Sequence, residues 1–250
     1  MLKTLAKIFA LGILLCSSSL AYAYSNGDLE AVKNGASCIN GDLSGADLSG
    51  LNLSGRDFSG TDFRDARMVG TEFSKANLTK ANFHRATINK AIMRGANLSE
   101  TDLSYALCVE TNFTNASLRH ANLYRAQLVG ARLLNADFRF INADEISLDK
   151  VNADFADFSY ASLPYAWVRE AHFNNASFRG ANMYASHLNG SDLKEADCRS
   201  AKLGKAYLNN TSLIGTNFDK AILDGADLRG AKLAFTQFGT ASKVDTLFDK

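Results

Sequence analysis

The chain has 250 residues, and its 27 basic and 26 acidic side chains nearly balance, for a formal charge of +1. This charge gives neither the basic surface typical of nucleic-acid-binding proteins nor a strongly acidic one. The single proline keeps almost every backbone amide available as a donor, which favours pairing between successive chain segments.

Residues 1–23 have the three parts of a secretory signal peptide. Lys3 and Lys7 precede the apolar run 8–15, and small residues end in Ala21-Tyr22-Ala23. We expect cleavage after Ala23 and an exported protein, either periplasmic or secreted. A membrane anchor is the alternative, but the apolar run is shorter than the roughly 20 residues that a span needs. Lipidation of Cys16 is a further alternative, disfavoured by the large residue before it.

Residues 24–40 are predicted to form a short helical cap. Asp28 is a candidate N-cap and Gly35 a candidate stop signal. A helix here would cover the open end of the repeat that follows, where strand edges would otherwise be unpaired.

From residue 41 to 240, a large apolar residue returns at every fifth position. Of the 40 centres from Leu43 to Phe238, 36 are Leu, Phe, Met, Ile or Val, and 35 have a small residue two positions earlier. Neither a helical period nor simple alternation produces this spacing. If both residues point inward, the residue between them points outward as in a strand, and the other two turn a corner. Asp or Asn fills 20 of the 40 outward positions, as suits turns.

Several units resemble the repeat A(D/N)LXX of the pentapeptide-repeat family. They include ADLSG at 46–50, ANLTK at 76–80, ANLSE at 96–100 and ADLRG at 226–230. The resemblance covers residues 41–240 and implies an all-β fold: a right-handed, four-sided (quadrilateral) parallel β-helix, or solenoid, with four pentapeptides in each coil. Ten coils at about 4.8 Å spacing would make a rod roughly 48 Å long.

Residues 141–155 break the pattern. Ile141, Ile146 and Val151 take the small position, and alanines take two of the large ones. Phe155 could replace Ala153 as the inward group through a slip of two residues. We therefore predict a bulge or bend in this segment.

Residues 241–250 are predicted to be a C-terminal tail. The tail keeps one more in-phase apolar residue, Phe248, but has no helical pattern, so this end of the rod is the less protected one. Because members of the family often dimerise there, the resemblance implies a homodimer through the last coils.

Sorting the outward residues by a 20-residue coil brings tyrosines, arginines and a histidine to one corner, with the single tryptophan on the adjoining face. Aromatic and arginine side chains together are typical of protein-binding surfaces. The alternative is that the tyrosines stack over the sheet and the charges are merely solvated. The candidate binding residues are His84, Arg85, Tyr105, Tyr124, Arg125, Tyr165, Tyr184 and Trp167.

The sequence does not favour an enzyme. The four histidines fall on different columns, so we expect no catalytic triad, metal site or cofactor. Cys108 and Cys198 are inward residues about 22 Å apart along the rod, too far for a disulfide.

The leading hypothesis is a non-enzymatic, exported scaffold or protein-binding module with an unknown protein partner. After loss of residues 1–23, the chain would carry 25 basic and 26 acidic residues and no membrane span. We expect no nucleic-acid partner. The alternative implied by the resemblance is a DNA-mimicking regulator of type II topoisomerase, which the signal peptide and near-neutral charge disfavour. A secreted host-directed factor is the third hypothesis.

Overall fold

The computed structural model describes residues 24–249, so the predicted signal peptide lies outside the described residues. Helix α1 spans Asn26–Lys33. Its N-cap is Ser25, whose side chain accepts a hydrogen bond from the backbone N–H of Asp28 at 3.2 Å. The prediction of Asp28 as the N-cap was therefore wrong. A serine three residues earlier satisfies the free amide, and Asp28 lies in the first helical turn, where its negative charge complements the helix dipole.

Helix α1 packs on the first coil through apolar and polar contacts. Leu29 and Val32 are buried in the hydrophobic core. The Asp28 carboxylate accepts a hydrogen bond from the backbone N–H of Asp42 at 2.9 Å. Arg56, which breaks the small-residue rule, donates to the carbonyl of Val32 at 2.8 Å. This exception adds a second donor to the Val32 carbonyl at the C-terminal end of α1, which also accepts from the backbone N–H of Gly35.

From Asp42 onward, the backbone forms a parallel β-helix with four sides. Asp42 pairs in parallel with Asp62, and the same 20-residue offset continues to the pair Asp227 and Leu247. Each side is a short extended segment, and a corner follows it every five residues. The sequence pattern predicted a tail after residue 240. The structure continues the coil there, as the pairing of Ser242 with Ile222 shows.

The interior follows the five-residue register. Every centre from Leu43 to Leu228 is buried. The rings of Phe138, Phe158 and Phe178 stack with centroids 4.7 and 5.2 Å apart and form an aromatic column along the interior. Threonines at small positions donate their hydroxyls to backbone carbonyls, so these buried polar groups are paired.

The predicted bulge at 141–155 was wrong. Asn142 pairs with both Asn122 and Ser162, and the corners on either side keep their spacing. Ile141 and Ala143 are both buried, whereas Phe155 points outward and is 57% exposed. Large and small residues have exchanged places on the same face, which conserves the volume that the interior must hold.

The corners depend on two local features. Of the 20 outward Asp or Asn residues, all but Asn142 accept a hydrogen bond from the backbone N–H two residues later. The last residue of every unit from Gly45 to Phe235 has a positive φ, as the third residue of a type II turn requires. Most of these residues are not glycine, so the turn geometry is imposed by the coil.

The part of the chain that the structure describes contains no helix long and apolar enough to cross a membrane, since α1 has only eight residues.

Candidate protein-binding surface

Five of the eight predicted residues form a first cluster on one corner of the rod: His84, Arg85, Tyr105, Tyr124 and Arg125. The rings of His84 and Tyr105 lie edge to face at 5.5 Å, and those of Tyr105 and Tyr124 at 5.4 Å. The corner brings these side chains together because residues 20 apart lie on successive coils. A shallow cavity of about 390 Å³ lies beside His84 and Tyr105.

The two arginines of the first cluster are engaged in ion pairs. Arg85 lies 3.1 Å from Asp65, and Arg125 makes a two-point contact with Glu145 at 2.8 and 3.0 Å. The hydrogen bond to Glu145 raises the pKa of Arg125. Because nearby carboxylates already compensate both guanidinium charges, these contacts favour a structural role for the two arginines over a role in binding.

The remaining three predicted residues form a second cluster: Tyr165, Tyr184 and Trp167. Tyr165 and Tyr184 lie edge to face at 5.9 Å. Tyr165 is 53% exposed and Trp167 is 41% exposed. The acidic corner residues Asp144 and Glu145 occupy the coil between the two clusters. The eight predicted residues therefore form two patches and not one.

Sequence reasoning missed two members of the second patch. His187 stacks on Trp167 with ring centroids 4.2 Å apart, and Tyr207 stacks on His187 at 4.6 Å. Burial, followed by the charge of Arg169, lowers the pKa of His187. The 20-residue offset that placed Trp167 also places His187 and Tyr207 in its column, so the signal was present in the sequence.

A groove opens next to the second cluster, and we call it the Tyr184 groove. Its volume is about 570 Å³. Its wall includes two tyrosines, two lysines, a glycine and an isoleucine: Tyr165, Tyr184, Lys202, Gly204, Lys205 and Ile222. Sequence reasoning missed the last four because none of them is unusual alone.

Another aromatic row lies on a different corner, and its contacts indicate a structural role. His120 stacks on Phe140 at 5.1 Å, and Phe140 stacks on Tyr160 at 5.4 Å. The Tyr160 ring covers Gly180, where an added Cβ would come within 2.8 Å of ring carbons. These rings use their faces on one another and on the backbone, so the row stabilises the corner.

The part of the chain that the structure describes contains no group of three or more His, Cys, Asp or Glu residues that could hold a metal. Cys38, Cys108 and Cys198 are buried free cysteines. Burial raises the pKa of the Cys108 and Cys198 thiols, so neither supplies a thiolate nucleophile.

Comparison with solved structures gives several pentapeptide-repeat proteins. HetL of the cyanobacterium Nostoc sp. strain PCC 7120, involved in heterocyst differentiation regulation, is 24% identical, with 86% of this chain and 92% of HetL covered and a TM-score of 0.48. QnrB1, a plasmid-mediated fluoroquinolone resistance protein, is 16% identical, with 82% and 92% covered and a TM-score of 0.42. A pentapeptide repeat protein of the Arabidopsis thaliana thylakoid lumen is 28% identical, with 51% and 75% covered and a TM-score of 0.25.

No curated protein matches this chain. The family model for pentapeptide repeats matches as eight copies, over residues 34–65, 57–95, 96–134, 156–194 and 196–233. The matched ranges leave out 135–155, the segment in which large and small residues exchange places. Since the matches cover well over half of the chain and the backbone has the four-sided coil, the protein belongs to the pentapeptide-repeat family.

Proposed function

We propose that this protein is a non-enzymatic protein-binding module that holds its partner at the Tyr184 groove and the adjoining second cluster. One observation carries the proposal: exposed aromatic side chains of two adjoining columns lie together at one corner of the rod, and one of them, Tyr165, lines a groove. Tyr165, Trp167 and Tyr207 are each between 41% and 53% exposed, which is unusual for such large apolar groups. Neighbouring exposed aromatic groups are typical of surfaces that a partner covers.

The second cluster is a better binding surface than the first. In the first cluster, both arginines are engaged by acidic neighbours, so a partner would have to replace those ion pairs. Beside the second cluster, Lys202 and Lys205 of the Tyr184 groove are exposed and make no ion pair with a described acidic residue. Their charges are available to a partner.

A crosslinking experiment tests this surface. A photoreactive phenylalanine analogue replaces Tyr165, and the protein is irradiated in an extract of its own cells. We expect a discrete adduct that disappears when Tyr184→Ala is added and persists when Tyr124→Ala/Arg125→Ala is added. The analogue at Phe155, which is exposed on another corner, is the control. The same adducts from positions 165 and 155 would contradict the proposal.

DNA mimicry receives little support from the charges. A mimic needs a stripe of uncompensated acidic side chains, but Asp137 lies 2.6 Å from Arg139, and Asp197 lies 2.6 Å from Arg199. We therefore keep protein binding as the function. Export remains part of the proposal and rests on the signal-peptide pattern of residues 1–23. Sequencing the N-terminus of the protein from fractionated cells tests it: Tyr24 is expected, and an intact Met1 in the cytosol would refute export.

A second copy of the chain is proposed to cover the C-terminal end of the rod. The centres Leu233 and Phe238 are only partly buried there, whereas the earlier centres are fully enclosed. Phe235 is 86% exposed, and Leu247 and Phe248 are exposed as well. An apolar surface of this kind next to a strand edge favours association.

The dimer is tested by sedimentation equilibrium. The wild-type protein is expected to be a dimer and Phe235→Asp/Leu247→Asp a folded monomer. Phe155→Asp, which removes an exposed phenylalanine from the middle of the rod, should leave the dimer intact. A monomeric wild type at high concentration would refute the dimer without affecting the proposal for the Tyr184 groove.

A further inference from the structure

The chemistry of the Tyr184 groove indicates what kind of partner it binds. We propose that the groove takes an extended acidic segment of a protein, with carboxylates on Lys202 and Lys205 and an apolar side chain between Tyr184 and Ile222. This inference rests on the proposed function and adds the partner's chemistry to it.

The two positive charges of the groove have no ion-pair partner among the described residues. Lys202 and Lys205 lie on one coil and are both exposed. Lys205 lies over the Tyr184 ring, with its Nζ 5.9 Å from the ring centroid. Asp224, the acidic residue in the groove wall, already accepts hydrogen bonds from the Ser242 hydroxyl at 2.6 Å and from the backbone N–H of Val244 at 2.9 Å. These neutral donors fix the carboxylate without removing its charge, and the two lysines against this one aspartate leave the groove with a net positive charge.

The apolar side of the groove is formed by side chains that span four successive coils. Tyr165 and Ile222 are exposed, and Tyr184 is half-buried between their coils. Gly204 leaves the space open, because a Cβ there would lie 3.4 Å from the Tyr184 ring and 3.5 Å from the carbonyl of Asp224. An extended chain fits this geometry, since its alternate side chains can reach the lysines and the apolar wall.

A basic groove with aromatic walls could also take single-stranded nucleic acid. The observations favour an acidic protein segment, because the whole chain carries a formal charge of only +1 and the lysines are two isolated charges and not a basic track. Nucleic acid binding is therefore an outcome of the test that would overturn the proposal.

Two variants of the full chain separate charge from shape. Gly204→Leu fills the groove, and it should fold because this corner position holds Arg, Tyr or Asp in other coils. Thr114→Leu adds the same side chain at another corner as its control. Lys202→Glu/Lys205→Glu reverses the groove charge, and Lys75→Glu/Lys232→Glu changes the net charge equally elsewhere. Circular dichroism verifies that all four variants are folded.

The probe is a library of random ten-residue peptides, selected on the wild-type protein with counter-selection on Gly204→Leu. We expect enrichment of peptides that combine Asp or Glu with an aromatic or aliphatic residue. Fluorescence polarisation of the best peptide should show at least about tenfold weaker binding to Gly204→Leu and to Lys202→Glu/Lys205→Glu, and unchanged binding to both controls. Replacing its acidic residues by amides should weaken it equally.

Three results would overturn the inference: enrichment of uncharged or basic peptides, no peptide that distinguishes the wild type from Gly204→Leu, or equal affinity for an oligothymidylate of ten nucleotides. The crosslink at Tyr165 shows whether only the acidic-segment inference has failed or whether the proposed protein-binding function has failed as well. If the crosslink persists while acidic peptides fail, the surface binds a partner of other chemistry. Loss of the crosslink as well would remove both proposals.

Discussion

Each face of a coil buries one large and one small side chain, and the pair shares a narrow interior. Ala126 is fully buried beside the centre Leu128, whereas its neighbour Arg125 is on the surface. In the pairs Ile141/Ala143 and Val151/Ala153 the large and small residues exchange places without distorting the backbone, so in these units the interior constrains total volume more strongly than order.

Adding volume at the small position should therefore destabilise the fold. Ala126→Leu is expected to lower the free energy of unfolding by about 1–3 kcal/mol through overpacking. Arg125→Leu removes an exposed ion pair and should cost less than about 1 kcal/mol. Chemical denaturation of the two variants measures the difference. Equal stabilities would contradict the inward orientation of the alanine.

The outward Asp or Asn stabilises the corner that follows it. The Asn97 side chain accepts from the backbone N–H of Ser99 at 3.1 Å and from the Ser99 hydroxyl at 2.7 Å. Asn97→Ala should cost about 1 kcal/mol, the usual net value of such a bond. Asn142→Ala is the matched control, because Asn142 makes no such bond to the backbone. Denaturant midpoints compare them, and a larger loss at Asn142 would refute this role.

At the scale of the element, the corner forces its last residue into a left-handed conformation. Ala185 has a φ of 53°, which costs an L-residue roughly 1–2 kcal/mol, whereas glycine adopts it freely. Ala185→Gly should therefore stabilise the protein by about 0.5 kcal/mol or more. Ala181→Gly, at a buried small position of the same unit, should destabilise it by a similar amount. Thermal unfolding of both variants tests the opposite signs.

Ion pairs between an outward aspartate and the arginine at the following corner make the stability of the β-helix sensitive to acid. The hydrogen bond from Arg199 holds the pKa of Asp197 below its ordinary value of 3.8, and Arg229 does the same for Asp227. Stability from a lowered pKa is fully present above the unfolded value and is lost as the pH falls through the folded value. We expect melting temperatures to fall below about pH 4.

Asp197→Asn/Asp227→Asn separates these pairs from the other carboxylates. The amide retains an acceptor for the backbone N–H but cannot titrate, so the variant should lose less stability than the wild type between neutral and acidic pH. Melting temperatures across this range, measured at low ionic strength, provide the comparison. Parallel pH profiles would show that the two ion pairs do not contribute.

At the scale of the whole molecule, each coil contacts only its neighbours, so stability is transmitted locally along the rod. Val32 of α1 is buried against the first coil, and Val32→Ala should cost about 1–3 kcal/mol. Amide exchange should accelerate at Leu43 and Leu48 but not at Phe158, far along the rod. Glu30→Ala, on the exposed side of α1, should change neither the stability nor the amide exchange rates at Leu43 and Leu48. Uniform acceleration would indicate that the rod unfolds as one unit.

The two rod ends and the outer surface could be predicted less well than the interior. Ser25 caps the helix while the Asp28 carboxylate accepts from the backbone N–H of Asp42, and the coil extends through Leu247 by pairing with Asp227. The local chain pattern does not reveal these contacts with a neighbouring segment. The candidate binding residues lie on the corner and the adjoining face that the 20-residue offset assigns to them, and their role in binding stays a prediction. Their division into two clusters follows from the ion pair between Arg125 and Glu145 and from the intervening acidic coil.

The sequence alone determined the register, because a five-residue period allows only one inward set and a 20-residue offset places like residues on successive coils. It also placed Trp167, His187 and Tyr207 in one column. Only the tertiary structure decided which outward charges are compensated and where a groove opens. Those properties depend on side chains from different coils meeting in space, as Tyr184, Gly204 and Asp224 do, and no pattern within one unit contains that information.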